Sequence, residues 1–361
     1  MQFSLFRYDF ILLLFLFLCF FPRACFPARI TPEQITVTTT DDTHTHRAAW
    51  FNFTRFKDAE NGSHVISGMS ELKKYFQRFG YLSVRNESFT GAYDTQFESA
   101  VILYQRKLGL PVTGKLDSDT TSTIIAPRCC VSDSSPAKIH ATKHIAYFNG
   151  MPRWNNDSVS TTTTMTLTAF SPSNMINYIT LPEIRTVFKR SFSRWASVIP
   201  INFTEVQEHE EADITIGFYG GDHGDGALGV LAHSFAPENG RIHFDEDETW
   251  AVDFKKAKSK SAVDLESVAT HEIGHILGLG HSSVQDAVMY PSLSPLRRRR
   301  ELKLDDVEGV QALYGSNPNF EISSLLEFDN VSNKGTGLVC RSSNWTLSLV
   351  VLLFFILLVI V

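Results

Sequence analysis

Cysteine is scarce in this sequence, which has five cysteines among 361 residues. Cys19 and Cys25 lie within or beside an apolar N-terminal run, and Cys340 lies just before an apolar C-terminal run. The body of the chain keeps the adjacent pair Cys129 and Cys130, and adjacent cysteines rarely pair with each other. This usage excludes a fold that depends on a framework of disulfide bonds.

The sequence also lacks a strong excess of charge of either sign. It has 33 Lys and Arg residues against 39 Asp and Glu residues, which gives a formal net charge of −6. The one marked basic run, four arginines at positions 297–300, is interpreted as a solvated loop. No nucleic-acid partner is expected. The length is sufficient for about two domains.

The N-terminus has the features of a targeting sequence. An apolar run at 10–21 follows Arg7 and precedes Pro22-Arg23-Ala24. This pattern is typical of a secretory signal peptide over residues 1–26, and an uncleaved anchor is the alternative. A series of Asn-x-Ser/Thr sequences fits a secreted glycoprotein. They begin at Asn52, Asn61, Asn86, Asn156, Asn202 and Asn330.

The C-terminus carries a second apolar run, at 347–361. It is short for a membrane-spanning helix, and small polar residues precede it. This layout predicts a linker at 318–337 followed by a GPI-attachment signal at 338–361. Asn333 or Gly335 is the candidate attachment residue. A simple spanning helix is the alternative.

The segment that follows the N-terminal region is predicted to form a small helical unit. Apolar residues recur at helical spacing over 72–79 and again over 97–108. Asp117 or Ser118 can cap a third short helix. From Tyr147 onward, strand and helix patterns alternate, which indicates an α/β (α+β) domain. Strands are predicted at 163–169, 212–219 and 228–233, and helices from Pro182, at 263–278 and at 305–314.

The most informative stretch is His-Glu-Ile-Gly-His-Ile-Leu-Gly-Leu-Gly-His at 271–281. On a helix, His271 and His275 project from one face and can bind one Zn²⁺. Gly278 can adopt a left-handed conformation that ends the helix and turns the chain back, so that His281 supplies a third nitrogen. Three protein ligands leave one position for water, which is the arrangement of a catalytic zinc.

Two further features complete this pattern. Glu272 follows the first ligand and can act as general base on a water without binding the metal. Met289, Tyr290 and Pro291 follow at short range, as in the Met-turn of metzincins. A bare His-Glu-x-x-His often occurs by chance, but the extended pattern is far more restrictive.

A second set of metal ligands is predicted upstream of this motif. His223, Asp225, His233 and His243 would make a closed four-coordinate shell, as a structural zinc prefers. Scattered surface histidines are the alternative interpretation. Ca²⁺ prefers hard oxygen ligands, and the candidates for these are Asp213, Asp245 and Glu248.

Together these residues resemble a matrix metalloproteinase of the plant type, a matrixin of the metzincin clan. The resemblance covers about 70–317 and includes Pro127-Arg128-Cys129, the zinc helix and the Met-turn. It implies a metzincin catalytic domain with a twisted mixed sheet and a zinc helix over 147–317. An inhibitory propeptide over 27–146, with a small all-α domain like those that bind peptidoglycan, would precede it.

The resemblance also implies a mechanism of latency. Cys129 would be a zinc ligand in the latent form, and Arg128 would pair with Asp133 to hold its loop in place. An activating protease would cleave between positions 138 and 149. Family members have Gly after this cysteine, whereas this chain has Cys130, which would crowd the cleft or compete for the metal.

For substrate binding, the resemblance implies a strand of substrate added along the predicted edge strand at 228–233. Tyr290 and Pro291 would line the pocket for a hydrophobic residue after the scissile bond, and the loop at 292–300 would form its floor. Met289 would support the metal site without binding the metal. The Pro-Phe-Asp-Gly segment that supplies calcium ligands in the family is absent, because the chain reads Gly-Ala-Leu-Gly at 226–229.

The predicted function is that of a zinc endopeptidase made as a latent zymogen. It would use zinc and calcium, act on extracellular proteins and be held at the outer face of the plasma membrane by a lipid anchor. A non-catalytic secreted binding protein is the first alternative, because of the shortened loop at 226–229. A carbohydrate-binding or wall-binding role of the helical unit is the second.

Overall fold

The computed structural model describes residues 56, 59, 62, 68–83, 89–133, 144–154, 163–168, 176–206, 211–220 and 229–323. The predicted signal peptide, the GPI-attachment signal and most of the shortened loop lie outside the described residues. All described residues belong to one compact unit that begins at His44. Within them, no helix has the length and apolarity needed to cross a membrane.

The N-terminal part of the described chain is helical. Its helices are α1 (Met69–Arg78), α2 (Thr95–Lys107) and α3 (Ser118–Ile125). Asp94 caps α2 by accepting a hydrogen bond from the Phe97 amide at 2.8 Å. Asp117 caps α3 in the same way, accepting from the Thr120 amide at 2.9 Å. Each carboxylate thereby satisfies an amide that has no partner within its helix.

Aromatic side chains fill the core of this helical unit. Phe76 packs edge-on against Phe97, with ring centroids 4.9 Å apart, and lies 5.1 Å from the ring of Tyr104. Such contacts stabilise beyond the area that they bury. Val230 and Tyr290, far along the chain, belong to the same buried cluster. The helical unit therefore shares its core with the edge of the following domain.

The C-terminal part of the described chain mixes strands and helices. Its strands are β1 (Ile145–Tyr147), β2 (Thr163–Thr168), β3 (Ile201–Val206), β4 (Thr215–Tyr219), β5 (Ala232–Ser234), β6 (Arg241–Asp245), β7 (Trp250–Ala251), β8 (Val263–Asp264) and β9 (Leu279–Ser282). Its helices are α4 (Leu181–Val198), α5 (Leu265–Ile276) and α6 (Leu304–Tyr314).

Parallel and antiparallel pairs both occur, which confirms the predicted α/β (α+β) class. β6 lies between β4, to which it is parallel, and β5, to which it is antiparallel. β2 pairs in parallel with β3, β7 pairs in parallel with β8, and β1 pairs with β9 in the antiparallel sense. Among the described strands, β5 pairs only with β6. It is therefore an edge strand that can accept another segment of chain.

Several element boundaries differ from the sequence predictions. The zinc helix, α5, is shorter than the predicted 263–278, because Val263 and Asp264 form β8. The Asp264 carboxylate caps α5 by accepting from the Ser267 amide at 3.0 Å. At the other end, Gly278 has a φ of 98°, and the chain turns directly into β9. The strand predicted at 212–219 begins at Thr215.

Helices α4 and α5 pack together in the main core. The indole nitrogen of Trp195 donates to the carbonyl of Thr270 at 2.8 Å, which joins the two helices. Gly274 lies next to the same indole, and a Cβ placed on it would be 3.0 Å from a ring carbon of Trp195 and 2.2 Å from Sδ of Met289. Only glycine lets α5 approach the Met-turn this closely.

Candidate metal centre and active site

Two histidines of the predicted zinc site lie on one face of α5, and the third lies on β9. Gly278 makes this possible, because its left-handed backbone brings His281 back beneath His271 and His275. A Cβ at Gly278 would lie 2.3 Å from the carbonyl oxygen of Pro152. The third histidine is thus placed by a turn that both conformation and space restrict to glycine.

The structure brings four potential metal ligands to one point. Nε2 of His275 lies 3.1 Å from Nε2 of His271 and 3.2 Å from Nε2 of His281. Sγ of Cys129 lies 3.3 Å from Nε2 of His275. The four ligand atoms are all within 4.8 Å of one another. Nitrogen ligands of one tetrahedral zinc would be separated by about 3.3 Å, so this donor set fits zinc.

The second ring nitrogen of each histidine has its own acceptor. Nδ1 of His271 lies 2.7 Å from the Val288 carbonyl, and Nδ1 of His275 lies 2.7 Å from the Leu279 carbonyl. A proton on Nδ1 satisfies each contact and leaves Nε2 with the lone pair that a metal needs. Burial lowers the pKa of all three imidazoles, which keeps them neutral.

The acceptor for His281 comes from the N-terminal part of the chain. Its Nδ1 lies 2.6 Å from Oδ1 of Asp133. The other oxygen, Oδ2, accepts from the Arg128 guanidinium at 2.7 Å and from the Tyr81 hydroxyl at 2.5 Å. Burial alone would raise the pKa of Asp133, but Arg128 and His281 hold that pKa well below its usual range.

Glu272 is fully buried beside the metal ligands. Its Oε2 accepts a hydrogen bond of 2.6 Å from the hydroxyl of Ser234 on β5. Its Oε1 has no hydrogen-bond partner among the described residues. Burial raises the pKa of Glu272 to about 7, against the opposing effects of side-chain hydrogen bonds with Ser234 and with Cys129. Glu272 is therefore held by Ser234 of the edge strand and also interacts with the thiol of the Cys129 segment.

The segment around Cys129 occupies the cleft as an additional strand. The Arg128 amide donates to the Gly229 carbonyl at 3.1 Å, and the Leu231 amide donates to the Arg128 carbonyl at 2.9 Å. On the other side, the Cys129 amide donates to the Pro291 carbonyl at 2.9 Å. The segment is thus clamped between the edge that leads into β5 and the residues after the Met-turn.

Cys130 does not join the metal cluster. Its sulfur lies 3.6 Å from a guanidinium nitrogen of Arg78, and neither it nor Cys129 forms a disulfide. The competition for the metal that the sequence allowed is absent from this arrangement. Cys129 is buried, and burial together with the nearby Glu272 charge raises the pKa of its thiol. A bound cation would reverse that effect and favour the thiolate.

A small cavity of about 20 Å³ adjoins Glu272 and His271. Its lining includes Tyr290 and Pro291, as the resemblance implied. Arg299 also lines it, and Nη1 of Arg299 donates to the carbonyl of Ser292 at 2.8 Å and to that of Tyr290 at 3.3 Å. The apolar wall comprises Leu231, Val268, Val288 and Leu293.

Met289 is not among the four clustered ligand residues. Its backbone is held by Asp306. The two carboxylate oxygens of Asp306 accept from the amides of Met289 and Val288, both at 2.9 Å. The Met289 side chain is fully buried under Gly274 of α5. The Met-turn thus forms the packed base on which the zinc helix rests.

The structure describes half of the predicted structural-zinc set. His233 on β5 and His243 on β6 are directly opposite in the strand register, with ring centroids 4.8 Å apart. His223 and Asp225 lie outside the described residues. Of the candidate calcium ligands, Asp245 and Glu248 are buried, whereas Asp213 is exposed.

Sequence reasoning did not identify two contacts of this site. It paired Asp133 with Arg128 but missed His281, and it missed the contact of Ser234 with Glu272. It expected the loop at 292–300 at the pocket floor without choosing Arg299, which lines the cavity. Asp133 and His281 are 148 positions apart, and Ser234 and Glu272 are 38 apart. No local pattern connects such pairs, so only the folded chain reveals them.

Comparisons with known proteins agree with this geometry. The matrixin family model matches residues 154–315, and a peptidoglycan-binding-domain model matches residues 67–124. Metalloendoproteinase 1-MMP of Arabidopsis thaliana is 49% identical over 328 residues, which cover 86% of this chain and 88% of the relative.

Two further relatives show similar coverage. Metalloendoproteinase 4-MMP of Arabidopsis thaliana is 51% identical over 298 residues, covering 79% of this chain and 84% of the relative. Metalloendoproteinase 1 of Glycine max is 39% identical over 282 residues, covering 75% and 88% respectively. The predicted zinc cofactor and endopeptidase activity are thereby confirmed, and the chain belongs to the matrixin family of zinc metalloendopeptidases.

Proposed function

We propose that this matrixin is secreted as a latent zymogen and, once activated, hydrolyses peptide bonds of extracellular proteins. The observation that carries the proposal is the convergence of three Nε2 atoms and the Cys129 sulfur beside a buried Glu272. The three histidines would hold the catalytic zinc. When bound, that ion activates a water and polarises the scissile carbonyl.

Glu272 is proposed as the general base of this reaction. Oε1 takes the proton as the water attacks the carbonyl carbon, and Glu272 then passes this proton to the leaving amine. Ser234 keeps Oε2 in place during both transfers. A pKa near 7, which burial produces, suits a group that must accept and return a proton near neutral pH.

Substrate is proposed to bind along the edge formed by residues 229–232. The amides and carbonyls of this edge and of residues 291–293 bind the Pro127–Cys130 segment in the structure. The same groups can add a strand of substrate once that segment has left. The residue after the scissile bond would then enter the cavity lined by Tyr290, Pro291 and Arg299.

Latency is proposed to rest on Cys129. The Cys129 sulfur would take the fourth ligand position of the zinc. The Arg128–Asp133 ion pair, at 2.7 Å and almost fully buried, holds its loop. Cleavage between positions 138 and 149 by an activating protease would release the segment. A propeptide over 27–146 and a catalytic domain over 147–317 follow from this proposal.

Targeting and the additional metals are part of the same proposal. The terminal apolar runs support secretion and a GPI anchor at the outer face of the plasma membrane. His233 and His243 support a structural zinc with His223 and Asp225. The buried carboxylates of Asp245 and Glu248 support a calcium site, with Asp213 as an outlying candidate.

The test compares the secreted protein with a Glu272→Ala twin. Both are assayed against a quenched peptide before and after thiol-modifying activation, with and without a zinc chelator. Activity is expected only after activation, and chelator should abolish it. The twin should retain zinc and lose turnover by a factor of about 10² to 10⁴, the contribution of a general base.

Two outcomes would contradict the proposal. Full activity of the Glu272→Ala variant would show that Glu272 is not the general base. A folded, zinc-loaded protein freed of its propeptide that cleaves no peptide would favour the alternative, a non-catalytic binding protein. The shortened loop at 226–229 would then be the first place to look for the cause.

A further inference from the structure

The carboxylate of Asp133 is a direct neighbour of one proposed zinc ligand. Its Oδ1 lies 2.6 Å from Nδ1 of His281, and 4% of the His281 side chain and 2% of the Asp133 side chain are exposed. Water therefore competes little for this hydrogen bond. The second oxygen is held independently, by Arg128 and Tyr81, so the orientation of Oδ1 towards His281 is fixed.

His281 differs from the other two histidines in the group that accepts from its Nδ1 and in the position of that group in the chain. The acceptors for His271 and His275 are the carbonyls of Val288 and Leu279. Both carbonyls belong to the same domain as the histidines and remain when the N-terminal segment leaves. The acceptor for His281 lies in the segment that activation would remove. A carboxylate is also a stronger acceptor for an imidazole N–H than a carbonyl is.

We propose that Asp133 is a positioning residue for His281, so that the latent form holds its catalytic zinc more tightly than the activated form for a reason separate from Cys129. The carboxylate fixes the ring orientation and the Nδ1–H tautomer of His281 and increases the basicity of its Nε2. This inference rests on the proposed latency. The propeptide would then stabilise the bound metal in two ways. Cys129 would bind it directly, and Asp133 would orient His281, which binds it.

The consequence is a loss of zinc affinity upon activation. Departure of the propeptide takes away the Cys129 sulfur and leaves Nδ1 of His281 without the Asp133 carboxylate. Loss of such a partner typically lowers metal affinity by about 10- to 100-fold. The activated enzyme would then depend more on the free zinc concentration of its surroundings than the zymogen does.

The experiment isolates the Asp133 effect from that of the thiolate. The full-length latent protein carries Glu272→Ala, which prevents self-cleavage, and Cys129→Ser, which removes the sulfur ligand. Zinc affinity is measured by competition with a chromophoric chelator, with and without Asp133→Asn. We expect Asp133→Asn to weaken zinc binding about tenfold. Equal affinities with and without it would overturn the proposal.

Tyr81→Phe is the matched control. It removes the hydroxyl that contacts Oδ2 and leaves Oδ1 and its bond to His281 in place. Its zinc affinity should stay within about twofold of the parent, since a neutral partner of the remote oxygen contributes little to the metal. A loss as large as that of Asp133→Asn would show that general loosening of the segment, and not the His281 contact, sets the affinity.

A second readout observes the histidine directly. In the cobalt-substituted protein, the ring N–H protons of the ligands are shifted by the paramagnetic ion and can be followed by NMR. The N–H signal of His281 should exchange with solvent faster in Asp133→Asn than in the parent or in Tyr81→Phe. Unchanged exchange would overturn the proposal. A parent protein that takes up no metal would instead contradict the proposed function.

Discussion

In the polar side chains of the site, the two polar atoms make different contacts. Each histidine directs Nε2 to the metal position and Nδ1 to an acceptor. Glu272 directs Oε2 to Ser234 and keeps Oε1 available. For His271, His275 and Glu272 these contacts remain after the N-terminal segment leaves, so their orientations are set before substrate arrives, which lowers the cost of reorganisation during the reaction.

The contact between Ser234 and Glu272 can be tested by mutation. Ser234→Ala removes the hydrogen bond to Oε2 of Glu272 and should lower kcat by about ten- to hundredfold, which corresponds to one hydrogen bond to a charged group. KM should hardly change, because the Ser234 hydroxyl is buried and bonded to Glu272, and an added strand of substrate is bound by main-chain groups of the edge. The kinetic constants of the activated enzyme are compared, with Ser234→Thr as the variant that keeps the hydroxyl. Equal losses in both variants would assign Ser234 to packing alone.

At the scale of elements, the site depends on how closely α5 approaches the Met-turn. Gly274 leaves room for the Met289 sulfur, and Asp306 at the start of α6 holds the Met-turn backbone through the amides of Val288 and Met289. The zinc ligands are therefore placed by the packing of a helix on a turn, and the turn is fixed by a second helix.

Gly274→Ala tests this packing. Its Cβ would meet Sδ of Met289 at 2.2 Å and a ring carbon of Trp195 at 3.0 Å. Overpacking of this kind should lower the free energy of unfolding by about 1–3 kcal/mol, measured by urea denaturation. In the double variant with Met289→Ala, the smaller side chain leaves room for the new Cβ. Its loss in free energy of unfolding should therefore be smaller than the sum of the losses of the two single variants. Strict additivity would show that the two residues do not interact.

The loop after the Met-turn carries a prediction about substrate choice. Arg299 lines the cavity and is tied to the carbonyls of Tyr290 and Ser292. Arg299→Ala should deepen the cavity and raise kcat/KM for a peptide with a large aromatic residue after the scissile bond, relative to leucine, by about tenfold. Arg297→Ala, an exposed change in the same loop, is the control. An unchanged ratio of the two kcat/KM values would show that Arg299 does not limit the depth of the pocket.

At the scale of the whole molecule, one centre joins parts that are distant in the chain. Cys129, α5 and β9 meet at the metal position, and the helical unit shares a buried cluster with Val230 and Tyr290. Docking of the helical unit and metal binding should therefore support each other. The latent protein is expected to behave as one cooperative structure.

Metal removal tests this coupling. A ligand that binds only the folded state at about 1,000 times its dissociation constant adds about 4 kcal/mol. A chelator should thus lower the Tm of the latent protein by about 5–10 °C, and readdition of zinc should restore it. The thiol of Cys129 should become reactive at the same time, with Cys129→Ser to separate its signal from that of Cys130. An unchanged Tm and an unreactive thiol would show that the metal does not link the two parts.

The set of metal-binding residues could be predicted from the sequence, because the pattern that identifies them is local. His271, Glu272 and His275 share one helix, and Gly278 allows His281 to return within six positions of His275. Helical periodicity and glycine conformation are short-range properties, so they can be read without the fold. The same holds for the cap at Asp117, where a side chain accepts from an amide three residues on.

Tertiary structure alone decided the contacts that orient those groups. Which residue accepts from His281, which hydroxyl holds Glu272 and which arginine reaches the cavity all depend on segments that meet only when the chain is packed. Burial, which raises the pKa of Glu272 to about 7 and keeps the histidines neutral, is likewise a property of the assembled core. Local spacing selects the ligands of this protein, and long-range packing sets their orientation and charge.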